Sequence, residues 1–87
     1  MAKIERSTYI RISKTLLRKL FRTGCWGAGS MYEEHLKEGF PKEDADKAIL
    51  VADALVRQGI LGKKRKLYGF KYFLREEMYE KIMEIIQ

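Results

Sequence analysis

The spacing of apolar residues changes twice along this chain, and that change constrains its fold more than any other feature. Up to Arg57 the apolar residues recur every three or four positions, which is typical of amphipathic helices. Between Ile60 and Leu74 they alternate with other residues, as in strands, and beyond Met78 the helical spacing returns. The pattern predicts an α+β fold, and residues 1–87 suffice for a single domain.

The first predicted helix contains apolar residues at helical spacing and ends at Gly24. Ser13 is its candidate N-cap, since a serine hydroxyl can accept a bond from an unpaired amide of the first turn. Residues 8–12 alternate like a short strand but also continue the helical stripe, so the start of the chain fits either state. Residues 25–29 form a short connector after this helix.

Two shorter patterns predict the next two helices. Residues 30–33, Ser-Met-Tyr-Glu, fit a capping box that begins a second helix, which Gly39 terminates. A third helix is expected from about Pro41 to Arg57, followed by Gly59. Its first turns are acidic, which favours the positive end of a helix dipole.

Residues 60–74 predict a β-hairpin followed by a last helix. We expect the tip of the hairpin at four consecutive bases: Lys63, Lys64, Arg65 and Lys66. The second strand alternates Tyr68, Phe70, Tyr72 and Leu74 with other residues. Alternate aromatics in a strand are usually core, so this is the preferred interpretation of Tyr68 and Phe70, with stacking on exposed bases as the alternative.

Two segments resemble the winged helix-turn-helix superfamily, of the small archaeal kind, and the resemblance covers nearly the whole chain. Residues 55–61, Leu-Val-Arg-Gln-Gly-Ile-Leu, are similar to the end of that family's third helix and its entry into the hairpin called the wing. Residues 72–77, Tyr-Phe-Leu-Arg-Glu-Glu, are similar to its closing strand and last helix. The resemblance implies a three-helix helix-turn-helix core, a β-hairpin wing and a C-terminal helix. It also implies a brief strand in the connector at residues 25–29 that pairs with the wing.

Charge is segregated along the chain, which carries a net charge of +6. Residues 57–75 contain seven Lys and Arg residues and no acid, whereas residues 30–56 contain three bases and seven acids. Segregation of this kind favours a polyanionic partner over an ordinary solvated surface.

The resemblance implies binding of duplex DNA, with the third helix in the major groove and the wing on the backbone. Here that helix is acidic, so we expect the wing to supply the affinity in a transcription-related protein. The expected nucleic-acid contacts are Lys63, Lys64, Arg65, Lys66 and Lys71, with Lys42, Lys47 and Arg57 as minor ones. A stripe formed by Lys14, Arg18 and Arg22 fits either a second phosphate contact or a solvated helix face.

Two other functions remain open. A basic wing does not distinguish DNA from RNA backbone, and winged helices also serve as protein-interaction modules, here through Leu50, Val51 or the last helix. In the last helix, Tyr79, Met83 and Ile86 form a second apolar line beside the main one, from which we expect a homodimer.

The remaining residue types argue against an enzyme. Cys25 and His35 are the single cysteine and histidine, too few for a Cys/His zinc site, and we expect no metal or cofactor. Residues 27–30, Gly-Ala-Gly-Ser, lack the Lys-Ser/Thr ending of a nucleotide-binding loop. No apolar run resembles a signal peptide or membrane span, so we expect a cytoplasmic protein. The absence of Asn and the abundance of Lys, Glu and Ile resemble hyperthermophile composition.

Overall fold

The computed structural model describes residues 4–87, which form four α-helices and a three-stranded antiparallel sheet. In chain order the elements are α1 (Arg6–Arg22), β1 (Met31–Tyr32), α2 (Glu33–Lys37), α3 (Lys42–Arg57), β2 (Leu61–Lys66), β3 (Gly69–Leu74), a 3-10 turn (Glu76–Met78) and α4 (Tyr79–Ile86). The predicted α+β class is confirmed, and the arrangement is consistent with a winged-helix-like one. Residues 1–3, part of the segment inspected for a signal peptide, lie outside the described residues.

Helix α1 begins at Arg6, so the prediction that Ser13 is its N-cap is wrong. The ambiguous residues before Ser13 belong to the helix, because they extend its apolar stripe onto the core through Ile12. Ser13 is consequently an interior residue whose hydroxyl is buried and has no hydrogen-bond partner within residues 4–87. The predicted end at Gly24 is confirmed by its φ of +69°, which favours glycine after a helix.

The capping box predicted for α2 is also wrong. The helix begins at Glu33 with Tyr32 as its N-cap, and no side chain within residues 4–87 bonds this cap. Ser30 cannot take that role because Met31 and Tyr32 are extended and pair with β3. The brief strand expected at residues 25–29 thus lies two residues further along the chain, and in the connector itself Trp26 makes only a single bridge to β3.

Helix α3 has the expected bounds, and Gly59 after it adopts a φ of +79°. Its buried stripe packs against α1 and includes Val51, which is fully buried. The prediction that Val51 offers a partner contact is therefore wrong, because the core already covers it. Leu50 is 48% exposed and stays on the outer surface of the helix.

The tip of the β2–β3 hairpin lies at Leu67 and Tyr68, so the prediction of a basic tip is wrong. Leu61 pairs with Leu74, and both are fully buried. Burial of this pair fixes the register, because a slip of one residue would turn the leucine of the shifted strand to solvent. The two-residue turn falls midway between them, and the four bases run along β2 instead.

The prediction that Tyr68 and Phe70 are core residues is wrong as well. Tyr72 and Leu74 are fully buried, but Tyr68 is 82% and Phe70 40% exposed. The side chains of β3 do alternate between two faces, as predicted. The helices, however, cover only the end of the hairpin near α3 and the 3-10 turn, so the residues near the tip stay exposed.

Helix α4 closes the core with Ile82, which is fully buried, while Ile85 and Ile86 are half-buried against the same cluster. Tyr79 is half-exposed and its ring packs on Trp26 at a centroid distance of 5.6 Å. Much of the apolar surface of α4 is thus covered by other parts of the same chain. No helix within residues 4–87 is long and apolar enough to cross a membrane.

Candidate nucleic-acid interface

Three of the sequence-predicted lysines gather on the outer face of the hairpin. Successive strand residues point to opposite faces, and Tyr72 and Leu74 face the core. Lys64 and Lys66 of β2 and Lys71 of β3 therefore lie on the outer face. Lys64 and Lys71 are direct cross-strand partners.

Direct opposition of two lysines is unfavourable in an antiparallel pair. Aromatic rings on the same face offset part of this repulsion. The Lys64 ammonium lies 5.2 Å from the centre of the Phe73 ring, and the Lys71 ammonium lies 4.6 Å from that of Tyr32. Cation–π contacts keep both charges at the surface without neutralising them, so the face remains attractive to an anion.

The Phe73 ring also explains a glycine near the start of β2. It covers Gly62, where a Cβ atom would lie only 2.0 Å from the ring carbon Cζ. The far end of the Phe73 ring can lie over the strand because Gly62 has no side chain.

Lys63 is on the inner face and is already engaged. Its ammonium donates to Oδ1 of Asp53 at 2.9 Å, and the Tyr72 hydroxyl donates to the same oxygen at 2.7 Å. Tyr72 is fully buried, and burial together with the Asp53 carboxylate raises the pKa of its hydroxyl above the ordinary range. Asp53 thus fastens the hairpin to α3, and Lys63 is less available for phosphate than its neighbours.

Arg65 is exposed on the inner face, beyond the cover of the helices and opposite Phe70. No ion pair involves Arg65 or Lys66 among residues 4–87. These two bases directly precede the hairpin turn, so their charges lie next to its tip.

The three cations predicted on α3 are spread along the helix. Lys42 and Arg57 occupy its two ends, roughly 22 Å apart at 1.5 Å per residue, and Lys47 is half-buried between them. The exposed acids Glu43 and Asp46 lie among them. The three cations therefore form no single cluster on the helix.

The alternative stripe on α1 is partly engaged in packing. The Arg18 guanidinium donates twice to the backbone carbonyl of Ile86, at 2.9 and 3.1 Å. This contact satisfies a carbonyl at the C-terminal end of α4, where a positive charge is also favoured by the helix dipole. Lys14 and Arg22 remain at the surface.

Sequence analysis gave an exposed Tyr68 only as the alternative interpretation, and it missed Tyr32 beside the lysines. Tyr32 and Tyr68 meet edge to face with ring centres 6.5 Å apart, and both are accessible. The sequence signal for the position of the turn was Gly69, because a glycine often ends a tight hairpin turn with a positive φ. Its φ in the structure is +124°.

The only cysteine and histidine of the sequence, Cys25 and His35, line one pocket together with Lys71. Cys25 is buried, and His35 is exposed on α2 beside Glu38. Residues 4–87 contain no group of three or more His, Cys, Asp or Glu side chains placed to hold a metal ion.

Comparison of the chain with protein-family models gives no match. Comparison with curated proteins and with solved structures gives none either. Support for the candidate interface therefore comes from its own geometry and charge.

Proposed function

We propose that this protein is a winged-helix nucleic-acid-binding protein that holds duplex DNA through the outer face of its β2–β3 hairpin, in a transcription-related role. The observation that carries this proposal is the opposition of Lys64 and Lys71, with Lys66 beside them. Such a concentration of like charge weakens a hairpin. A phosphate backbone relieves that repulsion and releases counterions on binding.

The acidic surface of α3 supports the hairpin rather than the helix as the main contact. Glu43 and Asp46 are exposed and would repel phosphates in a groove. Backbone contacts give affinity with little sequence preference. We therefore expect weak sequence discrimination and strong salt dependence.

The test is fluorescence anisotropy of a labelled duplex of arbitrary sequence, titrated at several salt concentrations. The Lys64→Ala/Lys66→Ala/Lys71→Ala variant is compared with the wild-type chain. Removing one lysine–phosphate contact reduces the steepness of log K against log salt by about 0.9, so we expect the triple variant to reduce it by about 2.7.

The matched control is Arg6→Ala/Lys37→Ala/Lys81→Ala, which removes the same charge from α1, α2 and α4. We expect this control to keep most of the wild-type slope. Equal reductions in both variants would show that net charge, not the hairpin, drives binding. Absence of wild-type binding at low salt would exclude the proposal, and tighter binding to an RNA duplex of equal length would redirect it to RNA.

A protein-interaction module is the second candidate, favoured by the exposed surface of α3. Leu50, 48% exposed, lies one helical turn from the exposed Asp46, a combination suited to a protein surface that offers both apolar and basic groups. A homodimer through α4 also remains a prediction, and its exposed apolar anchor is Tyr79. Sedimentation equilibrium of the wild-type chain and of Tyr79→Ser tests it: a monomeric wild type excludes the dimer.

A further inference from the structure

The outermost part of the hairpin is apolar. Leu67 is 86% exposed and Tyr68 is 82% exposed, the two highest values among the large hydrophobic residues in the described chain. Single exposed apolar residues are ordinary on protein surfaces. Two in succession, at the tip of a projecting hairpin, form a compact apolar wedge.

The fold does not require these two side chains. A two-residue hairpin turn is most often built from Gly, Asn or Asp, which suit its backbone or bond to it. Here Gly69 supplies the left-handed residue, and Leu67 adds nothing to the core. Tyr68 touches the edge of Tyr32 but leaves most of its own ring in solvent.

The charges around the wedge indicate what it meets. Arg65 and Lys66 directly precede the turn and are exposed, and the opposed Lys64 and Lys71 lie behind them on the hairpin. A ligand that approaches the tip must therefore offer both negative charge and apolar surface. Duplex DNA offers both, as phosphates outside and base faces within, and its major groove admits a two-stranded ribbon.

We propose that Leu67 and Tyr68 insert between neighbouring base pairs and unstack them, kinking the duplex while the lysines hold the backbone. This inference rests on the proposed function. Apolar wedges of this kind open base steps in DNA-bending proteins, and the cost of unstacking is lowest at flexible pyrimidine–purine steps. A duplex with one central TA step is therefore the preferred probe.

The experiment compares the wild-type chain with Leu67→Ser/Tyr68→Ser at equal saturation of that duplex. Insertion is followed by the permanganate reactivity of the thymines at the TA step, which rises on unstacking, and by energy transfer between dyes at the duplex ends, which reports bending. Both substituted residues are exposed, and circular dichroism checks that the variant folds. The matched control is Ile10→Ser/Leu50→Ser, which removes two large apolar side chains from half-exposed positions on α1 and α3.

We expect the wild-type and control complexes to show raised thymine reactivity and increased energy transfer. The tip variant is expected to show neither signal and to bind about tenfold more weakly, equivalent to ~1.4 kcal/mol, with an unchanged salt slope. A wild-type complex with the reactivity of free DNA overturns the wedge while leaving backbone binding intact. Failure of the wild type to bind at all removes the proposed function itself.

A membrane surface also combines negative charge with apolar material. Anionic lipid vesicles test whether the tip binds such a surface instead of DNA. Vesicles of phosphatidylserine and phosphatidylcholine are added to the same three proteins. We expect no reduction of vesicle binding specific to the tip variant. A reduction confined to that variant, together with unchanged DNA signals, would assign the tip to membranes and overturn the proposal.

Discussion

Replacement of Asp53 by Ala tests how the hairpin is fastened to α3. The Asp53 carboxylate accepts bonds from the fully buried Tyr72 hydroxyl at 2.7 Å and from the Lys63 ammonium at 2.9 Å. A hydrogen bond to a charged acceptor contributes about 1.5–3 kcal/mol, and a half-exposed ion pair about 0.5 kcal/mol. Alanine regains about 0.5 kcal/mol of helix propensity.

The net expected decrease in the free energy of unfolding is about 2 kcal/mol, or roughly 8–16 °C in Tm for a domain of this size. Urea denaturation followed by circular dichroism measures it. Asp46→Ala is the matched control, since Asp46 lies on the exposed surface of the same helix and has no ion pair within residues 4–87.

A double-mutant cycle with Tyr72→Phe isolates the hydrogen bond from the ion pair. We expect a coupling of about 1–2 kcal/mol between the two positions, because either change alone already removes the bond. The reasoning would be refuted if Asp53→Ala costs no more than Asp46→Ala, or if the two changes are additive.

Three further outcomes follow from the same packing. Burial raises the pKa of Tyr72 above its ordinary value of 10.0, so just above pH 10 only the unfolded state releases this proton. The free energy of unfolding should therefore fall there by about 1.4 kcal/mol per pH unit. In urea denaturation at several pH values, Tyr72→Phe should flatten that part of the stability profile. Gly62→Ala should destabilise by about 1–3 kcal/mol because its Cβ meets the Phe73 ring, and Phe73→Leu in the same chain should recover part of that stability in thermal denaturation. Ser13→Ala should raise Tm, since it removes a buried hydroxyl that has no partner within residues 4–87; a lower Tm would mean that this hydroxyl is satisfied in solution.

Local signals predicted the helix ends well. Gly24 and Gly59 follow the helices they were expected to end, and both have positive φ. A glycine acts on the backbone of its immediate neighbours, so its effect is visible in the sequence. The apolar stripe of α3 was predictable for the same reason, because residues three and four apart share a face whatever the helix packs against.

The N-cap predictions were wrong because a capping hydrogen bond competes with packing and strand pairing that involve distant residues. Ser13 is a good cap residue, but extending α1 to Arg6 buries further apolar surface. Ser30 suits a capping box, but pairing of Met31 and Tyr32 with β3 holds the chain extended up to Glu33. Both competing interactions involve residues distant in sequence.

The composition and order of the chain thus determined the α+β class, the order of elements and a basic segment at residues 57–75. The tertiary structure alone decided which of those bases are free, because register depends on the burial of Leu61 against Leu74 across the hairpin. That register puts Lys63 on Asp53, places Lys64 opposite Lys71, and leaves an apolar turn outermost. Such outcomes depend on contacts between distant segments, which periodicity and local propensity do not encode.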